Sequence, residues 1–325
     1  MIVLVTGGRG LLGAAVVGEL VSRGHVVTVF QRTAAGHGDH VREVLGDITD
    51  RADVARAAAG VDAVVHLAAR VSMVGDWAEF ERVNVHGTRI VLEEAQHAGA
   101  TRFVHISSPS VAHAGAPIVG ADATPADPVR ARGNYARSKA AAELIALESD
   151  RFGFAVTVVR PHLVWGPGDM QLIGPIADRA RSGRLMLVDS GCALIDTTYV
   201  DNAAEAIAQA LDRCSLDAVQ GRAFVVSNGE PRTVAEILGL IALAAGARPP
   251  RRHVPFGIAR AAGAVIELGW RRSGRAGEPP LTAFVAEQLA TAHWFDQRRT
   301  RAALDWRPRI GLDEGFARLS ASFAR

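Results

Sequence analysis

Lysine is almost missing from this chain. Of its 36 Lys and Arg residues in 325, a single one, Lys139, is lysine. Cysteine and tyrosine are nearly as scarce, with two of each. Cys192 and Cys214 are too few for a disulfide framework, so a reducing compartment, the cytoplasm, is the expected location. No apolar run reaches transmembrane length, and the nearest candidate, Phe256 to Trp270, is broken by Arg260 and Glu267. That stretch reads as an amphipathic helix able to cover an apolar pocket or make a peripheral contact with a membrane. The charges nearly cancel, 36 basic against 34 acidic for a formal +2, and are spread along the chain. No basic patch therefore points to nucleic acid. A signal peptide is not expected at the apolar start, which lacks a basic flank and is interrupted by glycine. With 49% hydrophobic residues, a chain of this length can bury one large core and a smaller one.

Glycine, by contrast, is placed with purpose. Ile2 to Val5 is a short strand-like run, followed by Thr6-Gly7-Gly8-Arg9-Gly10-Leu11-Leu12-Gly13 and then by Val16, Val17, Leu20 and Val21 at helical spacing. A strand, a glycine turn and a helix are the context that a dinucleotide fingerprint requires. Gly7 and Gly10 let the backbone approach a pyrophosphate, and the helix N-terminus offers that anion unpaired N–H groups. Gly13 lets the helix pack close to the strand. At the end of a second strand, Val26 to Phe30, an acidic residue would bind the adenosine ribose and reject a 2′-phosphate. Gln31 and Arg32 stand there instead, which favours NADP over NAD as cofactor.

Further strand-like runs at Val41–Leu45, Ala63–Leu67, Arg102–Ile106 and Val156–Val159 alternate with helical periodicity. The expected fold class is α/β, a Rossmann doubly wound parallel sheet with a smaller C-terminal α/β lobe. Residues 1–165 would form the dinucleotide domain, with 197–227 returning to it, and 166–196 with 228–325 the substrate lobe. Ligands in such sheets sit at the carboxyl ends of the strands. Asp47-Ile48, Leu67-Ala68-Ala69 and Ser107-Ser108 all lie at such ends, with Asp47 able to accept from the adenine amino group.

Lys139 follows Tyr135 by four residues, so the two project from one helix face and phenol and ammonium can share a site. A general acid or base at neutral pH needs a tuned phenol, and a lysine point charge does this differently from a wide guanidinium fork. Together, Thr6-Gly7-x-x-Gly10-x-x-Gly13, Ser108 and Tyr135-x-x-x-Lys139 resemble the extended short-chain dehydrogenase/reductase superfamily over nearly the whole chain. Arg160-Pro161-His162-Leu163-Val164-Trp165-Gly166-Pro167-Gly168-Asp169, Asp196 to Asn202 and Ser227 to Pro231 are most similar to the 3β-hydroxysteroid dehydrogenase branch. Within it the bacterial 2-alkyl-3-oxoalkanoate reductases of olefin biosynthesis are nearest.

The resemblance implies that Tyr135 protonates a carbonyl oxygen as hydride arrives, with Ser108 holding that oxygen. Lys139 then lowers the phenol pKa and holds the nicotinamide ribose. It implies cofactor contacts from Gly7, Gly10, Leu11, Leu12, Gly13, Arg32, Asp47, Ile48, Leu67, Ala68, Ala69, Ser107, Tyr135, Lys139, Pro161 and Leu163. It also implies a homodimer through the helices near Phe80–His97 and Tyr135–Leu147, where Ala140, Leu144 and Leu147 make an apolar stripe. Nucleotide-sugar epimerases place polar diphosphate contacts where this chain has Leu163 and Ile195, and dehydratase carboxylates are missing because Pro109 follows Ser108. A nucleotide-sensing protein with a dead site is disfavoured by the complete Ser108, Tyr135 and Lys139 set. The expected substrate is a large apolar small molecule, either a branched keto acid or a 3β-hydroxysteroid. Trp77, Trp165, Phe256 and Trp270 are candidate pocket walls. His113, His162 and His253 are candidate polar contacts whose spacing suggests no metal site.

Overall fold

The computed structural model describes residues 1–112, 115–273 and 277–324. His113 lies outside them. Seven parallel strands form the central sheet: β1 (Ile2–Thr6), β2 (Val26–Gln31), β3 (Val41–Leu45), β4 (Ala63–His66), β5 (Arg102–Ile106), β6 (Ala155–Pro161) and β7 (Arg222–Val226). Their order is β7-β6-β5-β4-β1-β2-β3, so the winding direction reverses between β1 and β4. That reversal opens a crevice at the strand ends, the place where such sheets take ligands.

Period-two alternation decides what packs on each face. Val3 and Val5 of β1 join one core with Val16, Val17 and Leu20 of helix α1 (Leu11–Ser22), while Leu4 points into the other. Helices α2 (Arg51–Ala58), α3 (Gly87–His97) and α4 (Gly133–Glu148) belong to that second side, and α5 (Val200–Asp212) lies beside α1 on the first. Each fully buried Val or Leu contributes about 1.5–3 kcal/mol, so both layers are held mainly by these apolar faces.

One expected helix is not continuous. Between the short helix Trp77–Phe80 and α3, residues Glu81–His86 form a π-helix. The wider turn places Asn84 inward, where its amide accepts from Arg70 N and donates to Arg70 O and to Ser138 Oγ. Widened turns of this kind often mark functional sites.

A second, four-stranded sheet takes Arg232–Thr233, Leu194–Ile195, His293–Phe295 and, from the N-terminal half, Ile118–Ala121. Trp165, expected as a pocket wall, is instead core of this lobe. It is 2% exposed, stacks on Phe316 at 4.3 Å and donates its indole N–H to Thr197 Oγ1 at 2.9 Å. Helix Phe256–Ser273 packs on helix Ala283–Ala290 and leaves Ile258, Val265 and Leu268 exposed. Among the described residues no helix is long and apolar enough to cross a membrane.

Candidate active site

The glycine turn has the geometry of a dinucleotide cradle. Gly7 has φ +78°, and a Cβ there would lie 2.9 Å from Ala68 N; at Gly13 it would lie 2.2 Å from Gly7 O. A side chain at either position would push the turn off β4 or off α1. An added Cβ at Gly10 meets nothing within 4 Å, so this glycine borders open space. Gly10 also caps α1 without a side-chain bond, and the first turn of the helix carries no acidic residue. The N–H groups and positive dipole end are therefore free for a phosphate. Leu11 opens the helix and packs against the lobe core together with Leu163, whereas Leu12 packs on the sheet core.

Thr6 sets the rear wall. Its Oγ1 accepts from Ala68 N at 3.1 Å and meets His66 Nδ1 at 2.8 Å. Thr88 Oγ1 donates to Asn84 O, so His66 Nε2 must carry the proton it offers to Thr88, and Thr6 donates to Nδ1. Burial together with the Lys139 charge holds His66 down to about 3, so the ring stays neutral. Ala68 and Ala69 leave this edge of the crevice without bulky side chains.

The adenosine end gathers groups that the sequence shows only in part. Arg32 is exposed at the end of β2, and Arg9, from the glycine turn, donates to Thr33 Oγ1 beside it at 2.8 Å. Gln31 turns inward to the carboxylate of Glu43 at 3.0 Å. Glu43 also accepts the backbone N–H groups of Ala35, Gly36 and His37, and these bonds hold its carboxyl down to about 2. A carboxylate thus does lie near the ribose end, but it is committed to folding the loop. Asp47 accepts from Thr49 N and Thr49 Oγ1; against the upward push of burial, these bonds and the charges of Arg82 and Arg32 keep it below its usual value. Ile48 is buried beside it.

At the other end, α4 delivers the expected catalytic set. Tyr135 and Lys139 stand one turn apart, and Ser108 lies just past β5. Burial pushes the Tyr135 phenol up to about 12, with the Ser108 hydroxyl pulling the other way. Within the chain alone, desolvation dominates; the lowering expected from Lys139 together with a nicotinamide charge concerns the loaded site. Lys139 is 3% exposed, donates to Ile106 O, and is brought down to about 8 by burial against the opposing charge of Glu143. Ser108 Oγ is 2.9 Å from Ser110 Oγ. Ser107 Oγ is buried without a partner just past the end of β5. Pro161 ends β6, and Leu163 follows with φ +41°, a left-handed conformation rare for a branched residue.

Several supporting residues escaped sequence reasoning. Ser138 donates to Tyr135 O and accepts from Asn84, locking the catalytic turn of α4 to the π-helix. Glu143 holds Arg160 through a buried bidentate pair, and Arg160 also donates to Thr124 O at 2.7 Å. His105 is fully buried with neither ring nitrogen partnered, and burial with the nearby Lys139 charge keeps it neutral. Of the candidate polar contacts, His162 Nε2 meets His293 Nδ1 at 2.8 Å, while His253 bonds Asp189 O away from the set. Ala140 is wholly buried within its own chain, so the expected dimer stripe retains only the half-buried Leu144 and Leu147.

These residues fit a bound nicotinamide dinucleotide: an open glycine edge, an uncapped helix N-terminus, an orphaned serine and a buried lysine. Similarity to known proteins agrees. The chain is 40% identical over 331 residues to a 2-alkyl-3-oxoalkanoate reductase of Stenotrophomonas maltophilia (strain K279a), covering 100% of both chains. It is 30% identical to a 3-beta-hydroxysteroid dehydrogenase of Mycolicibacterium neoaurum, over 97% of this chain and 89% of that one. Among solved structures, MoeE5 in complex with UDP-glucose and NAD superposes with a TM-score of 0.75 at 25% identity, covering 100% and 99% of the two chains. Residues 3–227 match the model of the NAD dependent epimerase/dehydratase family. With the site and these matches in agreement, the chain belongs to that family, as an enzyme of NAD-dependent dehydrogenase/reductase chemistry.

Proposed function

We propose that this enzyme reduces the 3-keto group of a 2-alkyl-3-oxoalkanoic acid to the 2-alkyl-3-hydroxy acid, with NADPH. The observation that carries the reading is that Leu163 and Ile195, apolar and packed in the lobe core, stand where a diphosphate would need polar side chains. The full-length likeness to the Stenotrophomonas reductase supports it. A bound reduced nicotinamide supplies hydride. Ser108 donates a hydrogen bond to the keto oxygen and orients it. Tyr135 then gives its proton to that oxygen. A phenol held up near 12 is fully protonated at neutral pH, which is the form reduction consumes. Lys139, buried one turn away, steadies the phenolate left behind.

Chain length tests the substrate. Each buried CH₂ contributes about 0.8 kcal/mol, so kcat/KM should rise roughly fourfold per added methylene until the pocket is full. A homologous series of 2-alkyl-3-hydroxy acids, followed by absorbance at 340 nm, measures this. A flat series, or turnover of UDP-sugars, would sink the assignment. The likeness to the Mycolicibacterium enzyme supports one second reading, a 3β-hydroxysteroid dehydrogenase, and preference for a steroid 3β-ol would select it.

Arg32 and Arg9 support NADPH over NADH. Arg32→Ala should lose the preference by about 10–100-fold, the worth of a charge-assisted phosphate contact. Titration giving equal affinities for both coenzymes in the native enzyme would overturn this. The same reading takes the chain as a cytoplasmic homodimer through the helices near Phe80–His97 and Tyr135–Leu147, with peripheral membrane contact through helix Phe256–Ser273. Its domains are the dinucleotide unit 1–165 with 197–227, and the substrate lobe 166–196 with 228–325. A monomeric mass by light scattering would remove the dimer, and failure to sediment with anionic vesicles would remove the membrane contact.

A further inference from the structure

Arg132 is the extended N-cap of α4, three residues before Tyr135. The guanidinium is half exposed and reaches toward the substrate lobe. It crosses Gly115, seven residues after Ser108 in sequence, where an added Cβ would lie 2.5 Å from Arg132 Cζ. It then meets Glu287 of helix Ala283–Ala290 on the substrate lobe. The other oxygen of Glu287 takes Arg260 of helix Phe256–Ser273 at 3.3 Å. Glu287 is the enclosed member, 15% exposed, whereas Arg132 is 46% exposed and Arg260 60%. Two guanidinium groups thus share one carboxylate, and the cluster keeps a surplus positive charge. Arg132 commits one N–H group to Glu287 and retains a flat edge of donors.

The position matters because of what a 3-oxo acid is. Its carboxylate lies two bonds from the keto carbon, so when the keto oxygen sits at Tyr135 and Ser108 the carboxylate falls close by. It cannot be buried among Leu163, Ile195 and the lobe core without a partner, because an unpaired charge there costs several kcal/mol. Arg132 joins the catalytic helix, Gly115 and the lobe helices at one point. We propose that Arg132, tethered by Glu287, reads the substrate carboxylate and so selects 3-oxo and 3-hydroxy acids over neutral ketones and alcohols. This rests on the keto-acid reading above and names the residue that gives it specificity for an acid.

The test compares a 2-alkyl-3-hydroxy acid with its methyl ester, in the oxidation direction where both are stable. The readout is the ratio of the two kcat/KM values. Native enzyme should prefer the acid. Arg132→Ala should lower that ratio by about 10–100-fold, mainly through KM for the acid, with Arg132→Lys restoring part of it. Arg132→Gln, which keeps the reach across Gly115, should behave as Arg132→Ala does and guards against simple misfolding. A ratio unchanged in both neutral variants overturns the proposal, as does equal loss on acid and ester, the mark of a purely structural bridge. Native enzyme inert toward acid and ester alike, yet active on a steroid alcohol, overturns the keto-acid reading and takes this proposal with it. The two failures are therefore distinguishable.

Discussion

Tyr135→Phe is expected to lower turnover by about 10²–10⁴-fold while cofactor binding and thermal stability stay near native. Phenylalanine keeps the ring and removes only the hydroxyl, whose proton, in the proposed reaction, the keto oxygen takes as hydride arrives. Burial holds that proton in place, up to about 12, so the native phenol enters the reaction charged with its proton at any pH a cell reaches. The hydroxyl also lies beside Ser108, and its loss leaves Ser108 as the one hydroxyl of the pair for orienting the substrate oxygen. Ser108 donates a hydrogen bond but has no proton to give at neutrality, so it does not replace the tyrosine. Stopped-flow turnover, coenzyme titration and a melting curve on the same preparation separate the three quantities. Near-native turnover in this variant removes Tyr135 from the chemistry. Lost coenzyme affinity would make it a binding residue instead.

What could be read in the sequence follows a physical line. The central strands were legible because parallel strands buried on both faces need unbroken β-branched runs. Ile2 to Val5 and Val26 to Phe30 could be little else. Their ends shift by only one or two residues in the structure, as at β6, which runs from Ala155 to Pro161. Tyr135 and Lys139 were legible because spacing of four on a helix is a local property. Groups defined by contacts across the fold were not. Glu43 alternates in β3 like any surface residue, and nothing in its neighbours shows that it closes the loop at 35–37. Asn84 gains its role from a π-turn that no hydrophobic period announces, and Arg132 acquires Glu287 across 155 residues of sequence. Arg9 did offer a signal, since a large cation in a turn made otherwise of small residues is unusual. Trp165 and Ala140 failed in the opposite sense: both look available in the sequence, and both are enclosed by their own chain. Apolar side chains are drawn to whatever core lies nearest, so a stripe read along a single helix says little about which body covers it.

Lys139 carries the other large expectation, and it can be tested from both directions. Lys139→Arg keeps the charge but adds bulk to a side chain 3% exposed and fixed on Ile106 O. Overpacking costs about 1–3 kcal/mol of stability, and the displaced guanidinium should lower kcat/KM by roughly 10–100-fold and weaken coenzyme binding. Lys139→Met keeps the length and discards the charge, so the phenolate formed in the reaction lies unscreened, and a loss of about 10²-fold or more is expected. pH distinguishes both variants from the native enzyme. In the folded chain Lys139 gives up its proton near pH 8, against 10.5 for the free side chain. If its charge is needed, native activity falls as pH rises through about 8. Lys139→Arg should run at a lower level without that alkaline limb, because a guanidinium stays charged. Stability moves the other way. Between about 8 and 10.5 the unfolded chain holds a proton that the folded chain has released, so this residue makes the native chain more stable as pH rises across that window. Lys139→Met should abolish both trends. Should native activity stay level to pH 10, or Lys139→Arg match the native enzyme in rate and coenzyme affinity, the single lysine would be an accident of composition and not a catalytic residue.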